Sequence, residues 1–166
     1  MPGFAETAWS AIADAGDRLT PRALSSDQTQ MIALIADTIL PRSDTPGATD
    51  VGVPAWIDLV IGEYFSGARR AAFLADLSAI DQRALSESGA HFTALNRSDL
   101  ARVVATLDAA TGSKHLTPAQ RGYVQLKELV IYGYFTSKPV QQDLLKLVIV
   151  PGRFDADVRI APASRT

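Results

Sequence analysis

The sequence predicts an all-α fold, and three observations carry that prediction. Apolar residues recur at helical spacing in one segment after another, several segments open on strong capping signals, and the one credible strand, Leu147-Val148-Ile149-Val150, is cut short by Pro151-Gly152. With 166 residues, 47% hydrophobic and 20% charged, the chain is long enough to bury a real core. The expected architecture is a single-domain helical bundle of about six helices with long ordered connections. An N-terminal amphipathic extension over 1–23 precedes a core over 24–157 and a C-terminal tail over 158–166.

The elements follow in order. Phe4, Ala5, Ala8, Trp9 and Ile12 lie along one side of a helix bounded by Pro2-Gly3 and Gly16. Ser25 and Gln28 have capping-box spacing, and Met31, Leu34, Ile35 and Ile39 form a stripe before Pro41. Pro54 suits the first turn of the next helix, whose Trp56, Ile57, Val60, Ile61 and Tyr64 share a face. Phe73, Leu74, Leu77, Ile80 and Ala84 mark a longer helix stopping near Gly89. Ser98 with Asp99 opens another, carrying Leu100, Val103, Val104 and Leu107 and ending at Gly112. Thr117-Pro118-Ala119-Gln120 joins a capping box to an N1 proline, and Tyr123, Leu126, Leu129, Val130 and Tyr134 follow on one side. Ser137 and Pro139 reopen a short helix containing Leu144, Leu145 and Leu147.

Charge and composition remove several function classes. The formal net charge is −2 and no basic cluster exceeds Arg69-Arg70, so neither nucleic acid nor an anionic membrane is an expected partner. Without cysteine there is no disulfide, thiolate chemistry or cysteine-bound metal. Glu6 and Asp14 stand where a secretory signal would be apolar, and no apolar run reaches the roughly 20 residues of a membrane span.

Catalytic motifs are equally scarce. His91 and His115 each sit beside an apolar residue in a connection, without the second histidine or carboxylate set of a metal site. No nucleophile elbow, dinucleotide fingerprint or phosphate-binding loop occurs. Asp44, Asp50 and Asp58 lack the alternating oxygen ligands of a calcium loop, and capping or turn formation explains them more simply. A stand-alone enzyme using His91 or His115 as general base is retained as an alternative, as is a helical regulatory or scaffold protein.

The most particular segment is 39–60, ILPRSDTPGATDVGVPAWIDLV, with three prolines and two glycines between apolar runs. Its pattern of Ile39-Leu40-Pro41, Asp44-Thr45-Pro46-Gly47-Ala48, Gly52-Val53 and Trp56-Ile57-Asp58 resembles the gluconate 2-dehydrogenase subunit 3 family. Gly133-Tyr134-Phe135-Thr136-Ser137 is similar to a second signature of that family, and Val150-Pro151-Gly152-Arg153-Phe154 to its closing element. The three blocks are in register over residues 24–157, while the intervening helices agree only through Gly89, Phe92 and Leu95.

The resemblance implies a partner rather than a reaction. It implies a non-catalytic small subunit, without a cofactor of its own, that binds and stabilises an FAD-containing large subunit of the glucose-methanol-choline type. That partner would oxidise a sugar, sugar acid or glycoside, with a cytochrome c as the common electron acceptor. Many relatives begin with a twin-arginine signal, and none opens this sequence, so a cytoplasmic complex is expected, with the periplasm as the alternative. The expected interface comprises Pro46, Gly47, Trp56, Tyr132, Tyr134, Phe135, Pro151 and Phe154. The Pro-Gly loop suits a preorganised surface because it loses little entropy on docking. Within the aromatic set, Trp56 is expected mainly in the core and Tyr134 or Phe135 at the interface, because one helix in a small core rarely buries so many faces.

Overall fold

Ser25 accepts a hydrogen bond from the Gln28 amide while the Gln28 side chain accepts from the Ser25 amide, so the anticipated capping box opens the first long helix. The computed structural model describes Thr7, Trp9, Ser10 and Ile12 and then residues 23–147. Five α-helices occupy the latter stretch: α1 (Ser26–Ile39), α2 (Val53–Tyr64), α3 (Gly67–Ser88), α4 (Arg97–Asp108) and α5 (Pro118–Thr136). A 3-10 turn at Phe92–Ala94 links α3 to α4, and a π-type turn at Val140–Leu144 follows α5. Thr7, Trp9, Ser10 and Ile12 are helical too, and Trp9 and Ile12 pack against the common core. The described residues contain no strand, and the all-α expectation holds. Of the strand candidate only Leu147 is described; 148–150 lie outside the described residues.

Start signals place most helices correctly. Thr117 and Gln120 form the second capping box, with Pro118 in the first turn of α5. Gly89, at φ 71°, ends α3 in the left-handed conformation that glycine adopts without strain. Two expectations are corrected. Asn96, not Ser98, caps α4: its side chain accepts from the Asp99 amide at 2.9 Å. The buried face of α1 is Met31, Ile32, Ile35 and Ala36, with Leu34 and Ile39 only half-buried. Leu34 and Ile39 pack against the edge of the core instead.

α5 organises the core, for it packs against each of the other four long helices. Its closest neighbour is α3. A Cβ placed on Gly122 would lie 2.9 Å from the Asp76 Cβ and 3.0 Å from that residue's backbone carbonyl, so the two backbones meet there because position 122 carries no side chain. Beside this contact Arg121 clasps the buried Asp76 carboxylate with both Nε (2.7 Å) and Nη2 (2.5 Å). On its other flank α5 meets α2, and Gly133 lets the Trp56 ring approach: a Cβ at 133 would stand 2.8 Å from it.

The Pro-rich connection from α1 to α2 is tied inward at several points. The Ala48 amide donates to the Leu40 carbonyl, the Gly47 amide to Asp50 Oδ2, and the Thr49 amide to Asp37 Oδ1. A Cβ at Gly47 would sit 2.9 Å from the Arg42 backbone nitrogen, so the loop turns back on itself only with glycine there. Arg42 pairs with Asp50, and their hydrogen bond holds that carboxyl below the usual carboxylate range. Asp58 accepts from the amides of Ala23 and Leu24, fixing where the chain enters α1. Asp50 and Asp58 thus serve turns and chain ends, as their spacing implies.

Candidate partner-binding surface

The eight residues expected at an interface divide sharply once placed. Trp56 is fully enclosed and Tyr134 is nearly so; Gly47 is buried and Pro46 half-buried. These four shape the chain's own interior rather than an outer surface. Tyr132 (38% exposed) and Phe135 (45%) do look outward. Pro151 and Phe154 lie outside the described residues. The expectation that the aromatic-rich end of α5 cannot bury all its rings is met by Tyr132 and Phe135.

Helical geometry explains the division. Tyr134 continues the inward stripe of Tyr123, Leu126 and Val130, and its hydroxyl donates to the Pro46 carbonyl at 2.8 Å. Ile131 and Phe135, one turn apart, fall on the opposite side and are both exposed. Phe135 meets Tyr134 edge-on at 5.3 Å, which braces its ring without covering it. Tyr132 leans on Trp56 with ring centroids 6.0 Å apart, and Trp9 stacks on Trp56 at 6.0 Å and 20°.

Past α5 the chain turns sharply. Ser137, fully buried, donates from its hydroxyl to the Tyr134 carbonyl, and the π-type turn follows. Lys146 then adopts φ 49°, the one non-glycine in the left-handed region among the described residues. Leu144, Leu145 and Leu147 emerge 40%, 50% and 52% exposed. Of the eight large apolar side chains exposed among the described residues, six fall within 131–147: Ile131, Tyr132, Phe135, Leu144, Leu145 and Leu147. Sequence reasoning overlooked the leucines as surface groups. Their signal was present, since a segment of a few residues beyond Pro139 is too short to bury three leucines against a core that α5 already fills.

The histidines are placed less suggestively. His115 is exposed in the connection before α5. His91 Nδ1 lies 2.8 Å from Asp81 Oδ2, while Asp81 Oδ1 accepts from the Phe92 amide, so this carboxylate anchors the 3-10 turn. An open groove of about 680 Å³ runs past His91, Asp81, Asp27, Gln82 and Met31. No group of three or more potential metal ligands occurs among the described residues.

Another polar cluster braces α4 against α5. Asp108 accepts from the Tyr123 hydroxyl at 2.9 Å and from Lys127 Nζ at 2.5 Å. The lysine hydrogen bond, then the phenol, holds the Asp108 carboxyl below its ordinary range. Burial, then the Asp108 hydrogen bond, pushes the Tyr123 phenol well above its usual value. Through these two bonds Asp108 on α4 is tied to Tyr123 and Lys127 on α5.

No helix among the described residues is long and apolar enough to cross a membrane. Neither a curated protein nor a solved structure matches the chain significantly. The model of one family, gluconate 2-dehydrogenase subunit 3, matches residues 26–152. That span takes in most of the 166 residues, including the Pro-rich connection, the aromatic end of α5 and the exposed leucines. The chain belongs to the gluconate 2-dehydrogenase subunit 3 family.

Proposed function

We propose that this chain is the non-catalytic accessory subunit of an FAD-dependent dehydrogenase and that it binds and stabilises the flavoprotein through residues 131–147. The observation that carries the proposal is the gathering of exposed apolar side chains on that one segment of a chain whose family is named for a dehydrogenase subunit. Aromatic and aliphatic side chains held outward by a rigid helix suit the anchor role that dominates interface energetics. The partner is a glucose-methanol-choline type subunit holding FAD and oxidising a CH–OH group of a sugar, sugar acid or glycoside, with a cytochrome c as acceptor. This chain holds no cofactor of its own. The complex works in the cytoplasm, or in the periplasm where a twin-arginine signal accompanies it.

Co-expression with a neighbouring flavoprotein tests the reading. The expected outcome is a complex of defined mass showing the flavin absorption band, with the isolated chain colourless, metal-free and prone to aggregate. A stable monomer that ignores the flavoprotein overturns it. Replacing His91 and His115 together by asparagine is expected to leave turnover of the complex within a few-fold. A loss of about a thousandfold would instead place a general base in this chain.

A further inference from the structure

Trp9 reaches the proposed docking surface by two routes without belonging to it. Its ring stacks on Trp56, whose ring in turn backs Tyr132, each step spanning 6.0 Å between centroids. Its indole Nε1 also donates to Thr136 Oγ1 at 3.1 Å, and that hydroxyl donates back to the Tyr132 carbonyl at 2.7 Å. Ring and backbone of Tyr132 are therefore both connected to one side chain of the N-terminal segment. Trp56 has little freedom to absorb a change, because Gly133 presses against it from α5. Trp9 itself is half-buried and sits over Gly52, where an added Cβ would come within 3.6 Å of the indole.

We propose that Trp9 is a positioning residue for the flavoprotein interface: docked on Trp56 and Thr136, it holds Tyr132 in the orientation the partner meets. The proposal rests on the reading of 131–147 as the docking surface. Its physical basis is preorganisation. A Tyr132 ring backed by a fixed ladder surrenders less freedom on binding than one backed by a loosened Trp56. Docking of Trp9 and binding of the flavoprotein then reinforce each other.

The test measures affinity of the full-length chain for the co-purified flavoprotein, alongside far- and near-UV circular dichroism. The chain has two tryptophans, so Trp9→Phe leaves Trp56 as the sole indole reporter. Trp9→Ala is expected to weaken binding about tenfold while helicity persists, and Trp9→Phe to recover most of the loss through the ring stack. Thr136→Val, which removes only the hydroxyl relay, is expected to weaken binding about threefold. In a double-mutant cycle, Trp9→Ala and Tyr132→Ala should be strongly non-additive, because both act through the same ring. Additive losses, or wild-type affinity in Trp9→Ala, overturn the positioning role. Wild-type affinity in Tyr132→Ala with binding still lost in Phe135→Ala overturns the positioning role alone, whereas wild-type affinity in Tyr132→Ala, Phe135→Ala and Leu145→Ala together overturns the docking surface, so the two failures are distinguishable.

Discussion

The Tyr134 hydroxyl donates to the Pro46 carbonyl at 2.8 Å across 88 positions of sequence, fastening the end of α5 to the Pro-rich connection. The two most distinctive blocks of the chain therefore meet in the structure. Tyr134→Phe keeps the ring and removes the bond, so it is expected to cost about 1 kcal/mol of stability. Amide exchange should accelerate at Gly47 and Ala48 more than in α3. Equal protection throughout would show the loop to be held by its other bonds alone.

Glycine at 122 and 133 reverses an ordinary helix rule. Alanine in a helix interior normally stabilises by roughly 0.5–1 kcal/mol relative to glycine. Here the added Cβ meets the Asp76 Cβ at 2.9 Å or the enclosed Trp56 ring at 2.8 Å, and neither can swing aside. Gly122→Ala and Gly133→Ala are each expected to destabilise by about 1–3 kcal/mol, measured by urea unfolding. A gain in stability at either position would mean that α3 and α5, or α2 and α5, pack less closely than described.

The exposed anchors give a different signature. Phe135→Ala and Leu145→Ala remove surface that the isolated chain leaves in water. Each is expected to change folding stability by less than about 1 kcal/mol while weakening flavoprotein binding by about 2 kcal/mol, roughly thirtyfold. Trp56→Ala should do the reverse and cost about 3–5 kcal/mol of folding stability, since that ring is wholly enclosed. Circular dichroism and affinity measured on the same variants separate the two classes.

Tyr123 is expected to make folding sensitive to alkali. Its phenol is pushed up in the folded state by burial and by Asp108, whereas in the unfolded chain it titrates near its ordinary value of about 10. Its contribution is fully present below about pH 10 and is lost as pH rises from there toward the raised folded value. Stability of the wild type should therefore fall more steeply above about pH 10 than that of Tyr123→Phe. Parallel curves would remove Tyr123 as the source. Asp108 acts at the acid end: its lowered value contributes stability above the ordinary carboxylate range, lost as pH falls through the folded value.

Most of the fold was legible because local rules and tertiary packing agree along this chain. Both capping boxes and the Gly89 stop are decided within a few residues, and they stand where the sequence puts them. The cap of α4 was misplaced because Asn96 and Ser98 are both competent, and helix phase rather than residue type selects between them. The surface was harder to read. Helical spacing puts Tyr134 and not Tyr132 on the inward stripe of α5, but the Pro46 carbonyl that receives the Tyr134 hydroxyl lies 88 positions away and leaves no local trace. The exposed leucines could have been read from the short segment after Pro139, but the π-type turn and the left-handed Lys146 that direct them outward have no recognised sequence signal.

The central place of α5 has a consequence for how the chain is made. Each of the other four long helices packs against it, yet it is the last of them to be synthesised. During translation, the faces of α1 and α2 that meet α5 stay open until residues near Thr136 emerge, a delay on the order of ten seconds. Ribosome-bound nascent chains ending before α5 should accordingly be protease-sensitive throughout, and resistance should appear in one step once α5 is free. A gradual gain of resistance from α1 onward would show that the early helices fold without it.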